Sequence, residues 1–155
     1  EVRPMTKFPV IRDRFVNRGS MFERLKKIKA WVNVDGYYDM GPGPRIAPSV
    51  QAGRYSLARC MTCGCCVEAC PQFNGRSAFI GPAAIGQAVL FNAHPTGAAQ
   101  KEERLEVLSG PGGVVDCGNS QNCVKVCPKD IPLTDAIAQA GRDTTLYKLR
   151  RWFGR

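Results

Sequence analysis

The chain has 155 residues, 44% of them hydrophobic, which suffices for one packed domain with an extension and excludes a large multidomain enzyme. Its 22 Lys and Arg against 13 Asp and Glu give a formal charge of +9, a balance that suits an acidic partner such as nucleic acid, anionic lipid or a protein subunit. All eight cysteines fall within residues 60–70 and 117–127, a concentration that identifies the chain better than its charge does.

In chain order, the N-terminus EVRPMTKFPV lacks the apolar stretch of a signal peptide, and runs such as AIGQAVLF at 84–91 are too short to span a bilayer. Residues 1–50 form a basic segment whose stretch 32–48 carries Gly and Pro too densely for a regular element and is expected to wrap a partner. The first cysteine run, CMTCGCCVEACP, follows at 60–71. Pro82 opens a predicted helix to about Asn92, with Ala84, Ile85, Ala88 and Val89 at helical spacing. A second predicted helix covers about Gln100 to Leu108, ahead of the second run, CGNSQNCVKVCP, at 117–128. Pro132 starts a third, to about Ala140, and Leu146, Leu149 and Phe153 mark a further apolar stripe. Period-two alternation is scarce. The predicted fold class is therefore all-α: an α-helical ferredoxin-like domain over 51–155 with two Cys-rich cluster-binding runs.

Three chemistries compete for these cysteines. A disulfide scaffold needs secretion and sits badly with adjacent Cys65 and Cys66. Structural zinc needs paired CxxC units, and here the spacing is longer and more repetitive. Iron–sulfur ligation fits: Cys60, Cys63, Cys66, Cys70 and Pro71 make the CxxCxxCxxxCP run of bacterial-type ferredoxins. Cys117, Ser120, Cys123, Cys127 and Pro128 repeat it with one serine in place of cysteine.

In two-cluster ferredoxins the fourth cysteine of each run ligates the other cluster. Cys60, Cys63, Cys66 and the crossing Cys127 then complete a [4Fe-4S] site. Cys70, Cys117 and Cys123 leave three thiolates at the other, which points to a [3Fe-4S] cluster. The alternative is that Ser120 ligates through oxygen and keeps a cube, although thiolate is the better ligand. Cys65 lies between ligand positions and is expected to be a free thiol.

The first run, then FIGPAAIGQAVLFNAHP at 79–95 and CGNSQNCVKVCPKDIPLTDAI at 117–137, closely resemble the C-terminal half of the iron–sulfur subunit of succinate dehydrogenase and fumarate reductase. The resemblance covers nearly the whole chain: FPVIRD at 8–13 looks like the junction after that family's first domain, and SMFERLKKIKAWV at 20–32 like the first helix of its second. The family's first domain is a plant-type ferredoxin with a [2Fe-2S] cluster, whose CxxxxCxxC pattern is absent here. This chain is thus expected to be a fragment, a split subunit or the retained part of a longer chain, holding [2Fe-2S] only if the missing domain is supplied.

The resemblance implies the same ligand sets as the spacing, with Cys65 at the non-ligand position. It implies a single-electron relay between an FAD-containing flavoprotein subunit and quinone at membrane-anchor subunits, with or without heme, on the cytoplasmic face of a bacterial membrane or the matrix face of a mitochondrial one. No residue of this chain need touch succinate. The quinone or cluster surroundings would be Pro71, Gln72, Phe73, Asn74 and Gly75, with Gly118 and Ser120. Ubiquinone-type members tend to carry tryptophan after the Cys-Pro pair, so Asn74 and Gly75 imply a different quinone or pocket.

Other features have plain structural readings. His94 suits a turn or helix-end hydrogen bond, and Trp31 and Trp152 suit packing anchors. Basic and acidic residues number 12 and 5 over 1–60, 3 and 4 over 61–110, and 7 and 4 over 111–155. With no interleaved aromatic platform, no nucleic-acid partner is expected; acidic subunit surfaces and an anionic membrane face fit better. Oxidised clusters with their thiolates carry about −2 each and bring the loaded chain to about +5. Two other functions remain open to test: a subunit of another flavin-linked quinone oxidoreductase, whose runs usually keep every cysteine, and a non-redox iron–sulfur protein shaping a nucleic-acid surface.

Overall fold

The segment VIRDRFV turns back on itself at Asp13, whose φ of 51° places it in the left-handed region that Asp tolerates better than most residues. The result is a short antiparallel hairpin, β1 Val10–Arg12 and β2 Phe15–Val16, pairing Val10 with Val16 and Arg12 with Phe15 across an irregular register. This hairpin corrects the all-α expectation. Too short to show alternation, it begins in the stretch read as a junction, ahead of the first helix. The computed structural model describes residues 1–33 and 45–154, and most of the expected wrap at 32–48 lies outside the described residues.

The remaining architecture is helical: α1 Gly19–Lys27, α2 Pro48–Ala58, α3 Cys65–Glu68, α4 Pro82–Ala93, α5 Lys101–Ser109, α6 Asn122–Lys125 and α7 Leu133–Trp152. Short 3-10 turns at Gly97–Gln100 and Val114–Asp116 lead into α5 and the second cysteine run. The central element is α4. Pro82 occupies its first turn, where no amide donor is required, and Ala83, Ala84, Ile85, Gly86, Ala88 and Val89 are all buried. It ends at His94, held extended before Pro95 as a residue preceding proline prefers. His94 Nδ1 accepts the Gly97 amide at 3.2 Å, the helix-end role expected of it.

Helices α7, α5 and α2 pack around α4. Ile85, Leu108, Phe79, Ile28 and Val67 fill the centre. Phe8, from the stretch read as a junction, belongs to this core: it is buried and its ring lies 6.4 Å from that of Phe73.

Three boundaries differ from the sequence reading. α1 closes at Lys27, earlier than the stretch to Val32, and Lys29 takes a left-handed φ of 50°. α2 was not anticipated, because its apolar periodicity is weak and only Leu57 is buried. The helix predicted to stop near Ala140 continues unbroken through Gly141 to Trp152. A helical glycine costs about 1 kcal/mol against alanine, and packing of Leu133, Ala136, Ala140 and Thr144 outweighs that. Trp152 anchors nothing in this core: it is 78% exposed and touches the ring of Phe153.

Candidate metal centre

The two cysteine runs fold alike. Thr62 and Asn119, each immediately before the second ligand position, have left-handed φ of 51° and 50°. The residue after that position, Gly64 or Gln121, is also left-handed and starts the short helix, α3 or α6. Three hydrogen bonds recur: Val67 N to Gly64 O matches Val124 N to Gln121 O, Cys70 N to Val67 O matches Cys127 N to Val124 O, and Phe73 N to Cys70 O matches Asp130 N to Cys127 O. Ser120 therefore stands on the backbone that presents Cys63 in the first run. The helices α3 and α6 pack together, and Asn122 Nδ2 donates to Ala69 O at 3.1 Å.

These turns wall two cavities. One is lined by Cys60, Cys63, Cys66 and Cys127. The other is lined by Cys70, Cys117 and Cys123, with the exposed Ser120 beside them. The small residues Ala83 and Gly86 of α4 face the first, and a Cβ on Gly86 would come within 3.0 Å of Leu133. Pro82, Thr134 and Ile137 face the second. Among the described residues no three His, Cys, Asp or Glu side chains converge on a single metal ion. Thiols set around a wider cavity fit a polynuclear centre, in which bridging sulfides hold the ligands apart.

The electrostatics follow the same grouping. Burial pushes the Cys66 thiol up to about 12, and Cys60, Cys63, Cys123 and Cys127 add repulsion to its ionised form. Burial also raises Cys123; the Val124 amide pulls it down, while Cys70 and Cys117 push it up again. The influence of Cys123 on Cys66 shows that the two thiol sets adjoin. Cys65 is half-buried and its thiol is raised by burial, then by a hydrogen bond with Cys63 and by the Cys63 charge. The thiol between the ligand positions is thus in contact with a wall residue of the first cavity.

The residues singled out around a quinone do not share one environment. Pro71, Gln72, Asn74, Gly75, Gly118 and Ser120 are exposed, and Gln72, Gly118 and Ser120 line the rim of the second cavity. A Cβ on Gly118 would lie 2.4 Å from Gln72 Nε2, so glycine lets Gln72 close against the run. Phe73 is instead buried in the core with the Arg24 guanidinium 4.0 Å above its ring, which removes it from any surface pocket. Sequence reasoning also missed the cations on the first run: Arg18 donates to Thr62 O at 2.7 Å, and Lys7 to Val67 O and Cys70 O. Neither has a motif, because each acts on a backbone carbonyl across a long sequence separation.

Residues 56–131 match the model of a 4Fe-4S dicluster domain. The chain is 57% identical over 153 residues to the succinate dehydrogenase iron–sulfur subunit of Bacillus subtilis, covering 99% of this chain and 60% of that protein. It is 31% identical over 141 residues to the fumarate reductase iron–sulfur subunit of Wolinella succinogenes, covering 90% and 59%, and 34% identical over 140 residues to that of Escherichia coli O6:H1, covering 90% and 57%. Over nearly its whole length the chain is similar to the iron–sulfur subunits of succinate dehydrogenase and fumarate reductase. It spans about three fifths of the length of these relatives. The dicluster match spans both cysteine runs, whose thiols line the two cavities. Among the described residues no helix is long and apolar enough to cross a membrane.

Proposed function

We propose that this chain relays single electrons within a membrane-associated succinate:quinone oxidoreductase, between an FAD-containing flavoprotein subunit and quinone at membrane-anchor subunits. Residues 51–155 act as the cluster-bearing domain, with 1–50 as a basic junction, helix and wrap. Cys60, Cys63, Cys66 and Cys127 hold a [4Fe-4S] cluster, and Cys70, Cys117 and Cys123 hold a [3Fe-4S] cluster. The observation that carries this reading is the separation of the thiols into one cavity with four cysteines and one with three cysteines and a serine.

The clusters, when bound, supply one-electron storage at potentials set by cluster type, burial and hydrogen bonding. The chain's residues position and insulate them. Ala83, Gly86 and Leu133 give the first cavity an apolar wall. The second opens beside Gln72, Gly118 and Ser120, which suits it to face quinone, with Pro71 and Asn74 nearby on the surface. The complex lies peripherally on the cytoplasmic or matrix face of its membrane, with or without heme in the anchor.

The test is iron and sulfide analysis with electron paramagnetic resonance on the anaerobically prepared assembly. A [4Fe-4S] plus [3Fe-4S] stoichiometry, with a three-iron signal in the oxidised state, is expected. Two cubes would overturn the assignment.

A further inference from the structure

The N-terminal segment reaches back over the first cysteine run. Glu68, the last residue of α3, accepts the Thr6 amide at 2.7 Å, the Thr6 hydroxyl at 2.6 Å and the Lys7 amide at 3.0 Å. That clamp fixes the backbone from which the Lys7 side chain departs. The ammonium then donates to Val67 O at 3.4 Å and to Cys70 O. Cys70 is the crossing cysteine on the wall of the second cavity. A four-residue helix has too little dipole to call for a cation at its end. The position of this lysine is better explained by what Cys70 holds.

We propose that Lys7 sets the reduction potential of the cluster on Cys70, Cys117 and Cys123, a proposal that rests on the three-iron assignment above. Reduction adds one electron to that cluster, arriving from the neighbouring four-cysteine site, with no bond or proton moved at Lys7. A fixed positive charge on the backbone of a ligand favours the state with the extra negative charge and so raises the potential. Glu68 sits on the same clamp, and removing the lysine charge leaves that carboxylate uncompensated; both effects make reduction harder. Lys7 is a positioning residue for charge, acting through Cys70 without ligating iron.

The experiment is a potentiometric titration of the anaerobically isolated assembly, following the three-iron resonance in wild type, Lys7→Met, Lys7→Gln and Lys7→Arg. Lys7→Met and Lys7→Gln should make the cluster about three- to tenfold harder to reduce, where tenfold is about 59 mV for one electron. Iron content and signal shape should be unchanged, and Lys7→Arg should restore most of the midpoint. Lys7→Gln keeps a donor without the charge, so it carries the test alone if Lys7→Met loads poorly. An unchanged midpoint with the three-iron signal intact overturns the role of Lys7 and leaves the cluster assignment standing. Absence of that signal in the wild type overturns the assignment and the inference with it.

Discussion

Ser120 stands where the repeat would place a cysteine, between two left-handed residues that match those flanking Cys63. Its backbone is already that of a ligand, and only the side-chain atom differs. Ser120→Cys is therefore expected to fill the fourth corner of the second site: iron analysis should give two cubes, and the oxidised-state three-iron resonance should vanish. Arg104 makes a structural argument of the same precision. It is fully buried and donates to the carbonyls of Lys29 at 3.0 Å, Trp31 at 2.9 Å and Gly97 at 2.7 Å, and to the side chains of Asn92 and Gln100. Arg104→Met withdraws the donor from three carbonyls and two side-chain oxygens at once; Lys29 O keeps the Trp31 amide, and each acceptor left unpaired costs about 1–3 kcal/mol. A loss of about 3 kcal/mol or more is expected, read as a fall in denaturant midpoint. Arg104→Lys should recover little, because one ammonium cannot span the acceptors that a planar fork reaches.

At the scale of elements, the cysteine spacing exposed the two runs and their kinship, and the Pro82 and Lys101 helices lie within a residue or two of their predicted limits. The hairpin and α2 were hidden because neither buries enough apolar surface to leave a period. The join of the last two helical segments was hidden because Gly141 reads locally as a stop, and only burial against α4 and α5 carries the helix through. The end of α7 is tied to α5 by polar contacts: Tyr147 Oη donates to Glu106 at 2.6 Å, and Arg151 pairs with the same carboxylate. The Tyr147 hydrogen bond, aided by the Arg151 charge, holds Glu106 below the usual carboxylate range. A carboxylate depressed by folding contributes stability above its unfolded pKa of about 4.3 and loses it as pH falls through the lower folded value. The last two turns of α7 should thus fray on acidification below about pH 4, and in Glu106→Gln already at neutral pH. Hydrogen exchange at the amides of 147–152 reads both.

The response of the whole molecule to pH depends on whether its thiols hold iron. In the metal-free chain burial keeps Cys66 protonated up to about 12, whereas an unfolded cysteine ionises near pH 8.5. The folded state then binds more protons than the unfolded one across that window, so metal-free stability is flat below about pH 8.5 and falls as pH rises towards 12. Iron requires thiolates, and loading expels the protons. The loaded fold binds fewer protons than the unfolded chain below about pH 8.5, so its stability rises with pH there and levels off above. Anaerobic denaturation should show the loaded form gaining stability with pH below about 8.5, where the metal-free form is flat, and the metal-free form losing it above that value, where the loaded form is level. In metal-free Cys66→Ser, whose hydroxyl does not ionise in that window, most of the alkaline loss should disappear. Parallel profiles for loaded and metal-free protein would exclude thiolate ligation of the iron.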